Sequence, residues 1–460
     1  MSLKKIHFIG IGGTGMSAIA LLLLDRGLQV SGSDLNDSHY FRAVTAHGAN
    51  TALGHHPELA IAADVVVRSS AIKDGDPEVS AALSAGVPVL KRSDFLHFVT
   101  DSKTTLAVAG SHGKTTTTAM LISLLQSLHL DPSFILGAEI KGLNTNAHHG
   151  LNDLFVIEAD EYDYMFLGLY PKFSVITNLE HDHPDCFPTI ENYLDAFGAF
   201  LSRTDRQGKA ALCGDDPGVI RLMSRFSTEL DRVMTYGFGL NCDYRIVGAG
   251  WRSTHNLFSL ELAGEPLGSF EVGVPGKHNL LNAAAALSVV HQLGLDLSLL
   301  SSALRDFQGT ERRFDIVYSQ NGQVIINDYG HHPTQINTTI SAVRELYPHK
   351  RLWAVWEPHT YSRTVAMKDE FIKALNKADK VIITQIYAAR ETDTGLTPQP
   401  IADALPHGRY LPEFSAVVDT ITSEIANDDV VVVFSAGKGP QLSADLVKRL
   451  QGSAPQGGKQ

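Results

Sequence analysis

The amino-acid sequence predicts an α/β protein made of three domains in series. Three observations support this fold class. At 460 residues the chain is too long for a single hydrophobic core. Short apolar runs alternate with helical stretches along it, and the alternation begins anew after residue 104 and again after residue 309. We therefore place the domains at residues 1–104, 105–309 and 310–460.

The first domain is predicted to contain a parallel sheet. The runs IHFIG, LQVSGS, DVVVRSS and VPVLKR have the length and composition of strands, and MSAIALLLLDRG has the pattern of the first crossover helix. Because strands and helices alternate, the strands are expected to run parallel with helices packed around them.

The central domain begins with the strand TLAVAG, a glycine-containing loop and a long helix. The strands LFVIEAD, FSVITNL, KAALCG and RVMTYGF follow. Between residues 243 and 273 the pattern changes to DYRIVGAGW, HNLFSLELA and SFEVGV, which indicates a small antiparallel addition. The Ala-rich helix NLLNAAAALSVVHQLG then ends the domain, with Gly294 as its C-cap.

The third domain is predicted to open with a β-hairpin and to continue as another α/β unit. Asn321–Gly322 stands between two apolar runs, which is a strong signal for a two-residue hairpin turn. The later strands RLWAVWE, KVIITQIY and DVVVVFSAG alternate with helices. The segment QGSAPQGGKQ at the end of the sequence is expected to be disordered.

Composition excludes several classes of protein. The formal net charge of −12 argues against a nucleic-acid-binding surface. No stretch approaches the ~20 apolar residues of a membrane span, so membrane insertion is not expected. Cys186, Cys213 and Cys242 show no pairing pattern, which favours free thiols in a reducing cytoplasm.

A first glycine loop lies at the N-terminus. Gly10 to Gly15 fit the pattern G-x-G-x-x-G between a strand and a helix, and Asp34 follows at the end of the second strand. Glycines allow the backbone to approach a diphosphate, and the helix N-terminus offers free N–H groups to it. Both NAD and a UDP-sugar contain a diphosphate, so the loop alone leaves an oxidoreductase and a UDP-sugar enzyme open.

A second loop, GSHGKT, follows the first strand of the central domain. It is a shortened phosphate-binding loop that begins at Gly110. It keeps Lys114 for the β- and γ-phosphates and Thr115 for Mg²⁺. ATP beside a UDP-sugar is a more familiar pairing than ATP beside NAD, so the two loops together favour a substrate site and a phosphoryl-donor site.

Acidic residues and histidines follow the next strands of the central domain. The strand LFVIEADEYD ends in Glu158, Asp160, Glu161 and Asp163, and VITNLEHDHPD brings His181 and His183. Such residues at the carboxyl edge of a parallel sheet beside a phosphate loop are typical of a divalent-metal site. Zinc fits the spacing, but the absence of a thiolate ligand favours an ion that bridges phosphates.

The set of motifs resembles the Mur ligase family. The segments that carry the resemblance are IGIGGTGMS, VRSSAI, AGSHGKTTTT, EADEYD, NLEHDHPD, PGKHNLLNA, ERRFD, DYGHHPT and PHTYSRT, and they extend over nearly the whole chain. The family has a Rossmann-like UDP-binding domain, a central ATPase domain and a C-terminal Rossmann-like α/β domain that closes over the amino acid. The resemblance implies a bacterial, cytoplasmic enzyme of peptidoglycan synthesis that works as a monomer or weak homodimer.

The resemblance implies ATP-dependent addition of L-alanine to the carboxylate of UDP-N-acetylmuramate through an acyl phosphate. Addition of a tripeptide to the same sugar is the alternative within the family. An NAD-dependent oxidoreductase, or a nucleotide-binding regulator without activity, is the alternative outside it.

Residue roles also follow from the resemblance. The residues expected to bind the UDP-sugar are Gly12, Gly13, Thr14, Gly15, Met16, Ser17, Asp34, Ser69 and Ser70. Those expected to bind ATP are Gly110, Ser111, His112, Gly113, Lys114, Thr115, Thr116, Asn279, Asn282, Arg312 and Asp328. The amino-acid site would be formed by Tyr329, His331, His359 and Arg363.

Two Mg²⁺ or Mn²⁺ ions are also implied, with Thr115, Glu158 and His183 as their ligands. Lys114, Glu158, His183 and His331 are the residues expected to serve catalysis. The sequence departs from the family pattern at Tyr162, often Ser, at Thr360, often Arg, and at Lys438, where an acid is usual.

Overall fold

The computed structural model describes residues 3–252, 255–389 and 391–452. The chain divides into two compact units, one formed by Met1–Gly273 with Asn279–Gln308 and the other by Val274–His278 with Gly309–Gln460. Two sheets lie in the first unit and one in the second. The predicted α/β class is confirmed, while the predicted domain boundaries remain predictions. Apart from Gln451 and Gly452, which end the last helix, the segment expected to be disordered lies outside the described residues.

The first sheet has five parallel strands in the order β3-β2-β1-β4-β5. The strand β3 was not predicted, because none of its four residues is buried and its sequence therefore has no apolar pattern. The strands are β1 (Lys5–Ile9), β2 (Gln29–Asp34), β3 (Asn50–Leu53), β4 (Val65–Arg68) and β5 (Val89–Lys91). The helices are α1 (Thr14–Asp25), α2 (His39–Ala46), α3 (Pro57–Ile61), α4 (Pro77–Ser84) and α5 (Arg92–Thr100).

The second sheet has ten strands in the order β15-β14-β13-β12-β11-β10-β6-β9-β7-β8. The predicted antiparallel addition forms one edge of it, and an antiparallel hairpin that was not predicted forms the other. The strands are β6 (Thr104–Ala109), β7 (Ser133–Ile140), β8 (Thr145–His148), β9 (Leu154–Glu158), β10 (Phe173–Ile176), β11 (Lys209–Cys213), β12 (Val233–Gly237), β13 (Tyr244–Arg252), β14 (His255–Leu262) and β15 (Glu265–Val272). The helices are α6 (Lys114–Ser127), α7 (Ile190–Ser202), α8 (Pro217–Arg225), α9 (Lys277–Gln292) and α10 (Ser301–Asp306), with short 3-10 helices at Tyr162–Gly168, Ser227–Arg232 and Leu297–Leu299.

The third sheet has six strands in the order β16-β17-β21-β18-β19-β20. Its antiparallel hairpin turns at Asn321 and Gly322, which both have positive φ, as a type I′ turn requires. The strands are β16 (Asp315–Gln320), β17 (Gln323–Asp328), β18 (Arg351–Trp356), β19 (Lys380–Ile383), β20 (Gly408–Tyr410) and β21 (Asp429–Phe434). The helices are α11 (Pro333–Leu346), α12 (Tyr361–Ala366), α13 (Lys368–Leu375), α14 (Gln399–Asp403), α15 (Phe414–Glu424) and α16 (Gly439–Gly452).

Strand order determines which loops meet. In the second sheet β6 lies between β10 and β9, and all three run parallel. The glycine loop after β6 therefore opens at the same edge as the acidic segment after β9 and the histidine segment after β10. In α/β sheets this carboxyl edge is where ligands bind. Across the described parts of the chain, each helix is too short or too polar to cross a lipid bilayer.

A buried carboxylate supports the first sheet. Glu78 on α4 is fully buried and accepts hydrogen bonds from His7 Nε2 at 2.7 Å, Ser33 Oγ at 2.9 Å and the His56 N–H at 3.0 Å. Burial opposes its ionisation, but these hydrogen bonds outweigh burial and hold the pKa of Glu78 below its ordinary value of 4.5. One side chain thus joins α4 to β1, which leads into the glycine loop, and to β2, which ends at Asp34.

We expect Glu78→Ala to destabilise the first unit by about 2–3 kcal/mol, because it leaves buried His7 and Ser33 without their acceptor. A carboxyl group whose pKa is lowered by folding stabilises the folded protein at pH values above its ordinary pKa. This stabilisation is lost as the pH falls through the lowered pKa. Chemical denaturation at pH 7, 5 and 3.5 should therefore show a difference from the wild type that shrinks towards acid. Arg42→Ala, which removes an exposed charge, is the control, and equal stability of Glu78→Ala and wild type at pH 7 would contradict this account.

Candidate active site

The first glycine loop connects β1 to α1. Gly10 has φ of +82°, and Gly13 is the N-cap of α1. The Gly12 N–H donates to Asp34 Oδ2 at 2.9 Å, and a Cβ at Gly12 would lie only 3.0 Å from the same oxygen. A Cβ at Gly10 would meet Ser69 at 3.2 Å. The structure thus brings the predicted glycines, Asp34 and the Ser69 loop together at one edge of the first sheet.

An arginine that the sequence analysis did not single out packs against this loop. A Cβ at Gly15 would be 1.9 Å from a guanidinium nitrogen of Arg92, the first residue of α5. The other terminal nitrogen lies 3.6 Å from Asp160 Oδ2. The backbone next to Arg92 is tightly packed. The carbonyl oxygen of Ser93 would lie only 1.9 Å from a Cβ built at Gly168, so the two segments are in close contact there. The only available signal was an arginine at the end of the predicted strand VPVLKR, where the carboxyl edge of the first sheet was expected.

The charge around α1 favours an anion. The residues of its first turn, Thr14 to Ser17, are uncharged, and the helix N-terminus carries a partial positive charge. Arg92 adds a full positive charge beside it. A cation next to a helix N-terminus is unfavourable unless a negative group lies nearby. In the structure Asp160 is a negative group near Arg92, at 3.6 Å, and its side chain is 39% exposed. The arrangement is therefore suited to a ligand with more than one negative charge, such as a diphosphate.

The second glycine loop is tied to the strand beside it. Gly110 has φ of +133°, and a Cβ there would be 2.1 Å from Thr177 Oγ1. The His112 N–H donates to Asn178 Oδ1 at 2.9 Å, and Ser111 Oγ donates to the Glu180 carbonyl at 2.8 Å. The loop is thus held in shape by the segment after β10, and it opens α6 with Gly113 in the left-handed conformation.

Lys114, the loop lysine, is held by a buried carboxylate. Its Nζ donates to Glu161 Oε2 at 2.8 Å and to the Gly110 carbonyl at 2.5 Å. Burial opposes the charge on the ammonium, but Glu161 and Asp160 outweigh it, so the pKa of Lys114 is raised. The sequence pointed to Glu161 only as one of four acids. In the structure it is the counter-charge of the lysine, and a bound phosphate would compete with it.

The predicted metal ligands fall into two neighbouring groups. Thr115 Oγ1 donates to Glu158 Oε1 at 2.9 Å, and the Gly137 N–H donates to Glu158 Oε2 at 2.6 Å. His183 Nε2 instead lies 3.9 Å from Glu161 Oε1 and 3.9 Å from Asp182 Oδ2. Hydroxyl and carboxylate oxygens beside a phosphate loop fit Mg²⁺ or Mn²⁺. The sharing of one ion by Glu158 and His183 remains a prediction.

The two asparagines predicted to recognise adenine share a helix face. Asn282 Nδ2 donates to Asn279 Oδ1 at 3.0 Å, and both side chains are buried. A Cβ at Gly113 would lie 2.7 Å from Asn282 Oδ1. Asn282 therefore lies directly beside the phosphate loop, and recognition of adenine by the two asparagines remains a prediction.

In the second unit the predicted residues gather where β17, β21 and β18 end. Asp328 is buried and accepts the N–H groups of Phe314 at 3.0 Å and Gly330 at 2.8 Å. Burial raises the pKa of Asp328. Arg312 and Arg313 both lie over the Tyr329 ring, at 4.8 and 4.7 Å. Asp328 thus organises the backbone around Arg312 and Tyr329, and its contact with ATP remains a prediction.

The proton positions of two histidines follow from their partners. His331 Nδ1 lies 3.0 Å from the Tyr329 carbonyl, which can only accept, so Nδ1 carries the proton and Nε2 is the acceptor nitrogen. His359 Nδ1 lies 3.1 Å from Arg363, which can only donate, so a neutral His359 carries its proton on Nε2. The two rings are 5.5 Å apart, and Tyr387, which was not predicted, lies 5.9 Å from His359. The acceptor nitrogen of His331, the donor nitrogen of His359 and the buried guanidinium of Arg363 therefore belong to one cluster of side chains.

Comparison with known families divides the chain into three successive matches. Residues 5–104 match the Mur ligase family, catalytic domain. Residues 108–290 match the Mur ligase middle domain, and residues 312–437 match the Mur ligase, glutamate ligase domain. The predicted three-domain organisation is therefore confirmed.

Individual relatives agree with the family matches over nearly the full length. The UDP-N-acetylmuramate–L-alanine ligase of Sorangium cellulosum is 38% identical over 460 residues, which cover 98% of this chain and 97% of that protein. The enzyme of the same name from Mycolicibacterium vanbaalenii is 40% identical over 466 residues, again 98% of this chain and 97% of that protein.

Solved structures show the same architecture. The UDP-N-acetylmuramate-alanine ligase of Thermotoga maritima superposes with a TM-score of 0.83 at 28% identity, covering 98% of this chain and 99% of that one. A murein peptide ligase of Psychrobacter arcticus shares the fold, with a TM-score of 0.73 at 23% identity over 97% of this chain and 98% of that one. With three consecutive domain matches and full-length relatives, the chain belongs to the Mur ligase family.

Proposed function

We propose that this protein is an ATP-dependent ligase that joins L-alanine to the carboxylate of UDP-N-acetylmuramate, releasing ADP and phosphate, in the synthesis of peptidoglycan precursors. One observation carries the proposal. Two anion-binding loops lie in one compact unit, and consecutive acidic residues link them, since Asp160 faces Arg92, which lies against the first loop, and Glu161 faces Lys114 of the second loop. The names of relatives at 38% and 40% identity support the choice of substrates.

The first step would be phosphoryl transfer. An oxygen of the muramyl carboxylate attacks the γ-phosphorus of ATP, the bond to ADP breaks, and an acyl phosphate forms. The backbone N–H groups of the second loop and the Lys114 ammonium hold the phosphate oxygens as charge shifts between them. When bound, Mg²⁺ or Mn²⁺ neutralises phosphate charge, and Thr115, Glu158 and His183 are the residues that would hold it.

The second step would be amide formation. The amine of L-alanine attacks the acyl carbon, phosphate leaves, and the amine gives up a proton. His331 has its acceptor nitrogen at Nε2 and is our candidate for receiving that proton. Arg363, oriented by His359, is our candidate for binding the alanine carboxylate.

Tripeptide addition to the same UDP-sugar is the second candidate within the family. It is kept because the murein peptide ligase shares the fold and because Tyr162 departs from the Ser that is frequent in the family. An oxidoreductase would use only the first loop and would leave the Lys114–Glu161 pair without a purpose.

The deciding experiment measures phosphate release from ATP with UDP-N-acetylmuramate and Mg²⁺, in parallel with L-alanine or with L-Ala-γ-D-Glu-meso-diaminopimelate. We expect release that depends on L-alanine. Release with the tripeptide alone would establish the second candidate. If neither amine stimulates release while UDP and ATP still bind, the ligase assignment is wrong.

We expect Lys114→Ala and Glu158→Ala to lower ADP formation by at least about 10²–10³-fold, because each removes a group aimed at the transferring phosphate or its metal. Binding of the UDP-sugar, measured by calorimetry, should persist because the first loop is untouched. Lys172→Ala is the control, since that ammonium pairs with Asp205 on other loops. Near-normal turnover in either test variant would rule out the assigned roles.

We expect Arg92→Gln to weaken UDP binding by about 10- to 100-fold, because it removes charge-assisted hydrogen bonds to the diphosphate. Calorimetric titration with UDP measures this directly. Lys91→Gln removes the adjacent charge, which is exposed, and should leave the affinity unchanged. Unaltered UDP affinity in Arg92→Gln would show that this guanidinium is structural.

A further inference from the structure

The histidine of the metal region sits on a strained and tightly held backbone. His183 has φ of +56°, in the left-handed region that non-glycine residues rarely adopt. Its carbonyl accepts the N–H groups of Cys186 at 2.9 Å and Phe187 at 2.8 Å. These bonds fix the main chain of the turn. They leave the orientation of the imidazole to be set by whatever contacts the ring.

The imidazole lies at the same distance from two carboxylates, and each distance, taken as a pair, fits two ligands of one cation. His183 Nε2 lies 3.9 Å from both Glu161 Oε1 and Asp182 Oδ2, which is too long for a hydrogen bond. Two ligand atoms that each lie about 2.1 Å from one ion are separated by about 3–4 Å. The direction in which the ring points therefore decides whether Nε2 can take part in such a site.

The Tyr162 ring packs against this imidazole. The ring centroids are 5.0 Å apart and the planes are inclined by 66°, an edge-to-face contact. Tyr162 is itself anchored at both ends, because its hydroxyl donates to Asp185 Oδ2 at 2.9 Å and its N–H donates to Asp160 Oδ1 at 3.2 Å. The side chain thus spans from the acidic segment after β9 to the histidine segment after β10.

We propose that Tyr162 is a positioning residue, which holds the His183 imidazole in the orientation required to ligate a divalent cation. Its hydroxyl ties the turn that carries His183 to the acidic segment, and its ring limits the rotation of the imidazole. Groups that support a metal ligand in this way strongly affect metal affinity. The inference rests on the proposed function, because it assigns His183 to the metal of the ligase reaction.

Tyr164 offers a matched control. It lies two residues further on the same short 3-10 helix and also makes an edge-to-face contact with the histidine segment. Its partner is the Phe187 ring, at 5.0 Å, instead of His183. Substitutions at Tyr164 therefore perturb the same helix and the same segment without touching the imidazole.

The test is binding of Mn²⁺ in the presence of ADP, followed by electron paramagnetic resonance on the full-length protein, for Tyr162→Phe and Tyr162→Ala beside Tyr164→Phe and Tyr164→Ala. We expect Tyr162→Ala to weaken Mn²⁺ binding by about 10-fold or more, and Tyr162→Phe by less, because the ring remains. Both Tyr164 variants should match the wild type. The concentration of Mg²⁺ for half-maximal turnover should rise in the same order, while kcat at saturating Mg²⁺ changes little.

Unchanged Mn²⁺ affinity in Tyr162→Phe and Tyr162→Ala would overturn the inference, and so would an equal loss in the Tyr164 variants. Thermal unfolding checks that each variant is folded, and Tyr162→Phe remains decisive if the alanine variant is not. If the wild type itself binds no Mn²⁺ with ADP, the metal site of the proposed function fails together with the inference. Nucleotide-dependent Mn²⁺ binding in the wild type without an effect at Tyr162 rejects the inference alone.

Discussion

A buried ammonium needs a buried counter-charge, and this constraint shapes the centre of the first unit. Lys114 lies at the N-terminus of α6, where the helix dipole already contributes positive charge, and 14% of its side chain is exposed. Without an anion on the loop, an isolated lysine there would be strongly destabilising. Glu161, of which 1% is exposed, supplies the opposite charge at 2.8 Å. The lysine is thereby kept charged and in place for a ligand that brings its own negative charge.

The backbone turns sharply after the two carboxylates that face the second loop. The chain must present Glu158 to Thr115 and Glu161 to Lys114 within four residues, and then turn sharply. It does so with two successive left-handed residues, Asp163 at φ of +53° and Tyr164 at +55°. Such conformations are costly and persist where the surroundings hold them. Here the hydrogen bond from Tyr162 to Asp185, on the segment after β10, is part of what holds them.

The glycine loops, the strand and helix alternation and the acidic and histidine segments could be predicted from the sequence, because each is a local pattern with one physical cause. Contacts between distant segments could not. The sequence analysis placed Arg92 at the end of the predicted strand VPVLKR, and only the tertiary structure shows that it lies against Gly15. The sequence did not separate Glu161 from Asp160 and Asp163, the other acids that follow β9, whereas burial and the contact with Lys114 distinguish it in the structure. The strand β3 escaped prediction because it buries no residue and has no periodic pattern.

The acidic segment also gives the two loops a common element. Asp160 and Glu161 are adjacent in the chain, yet Asp160 lies 3.6 Å from Arg92, which packs against the first glycine loop, and Glu161 lies 2.8 Å from Lys114 of the second. An anion on either loop competes with one of these carboxylates for its cation. An anion bound to each loop would therefore displace one of two neighbouring carboxylates, which makes residues 160 and 161 the segment that both loops have in common.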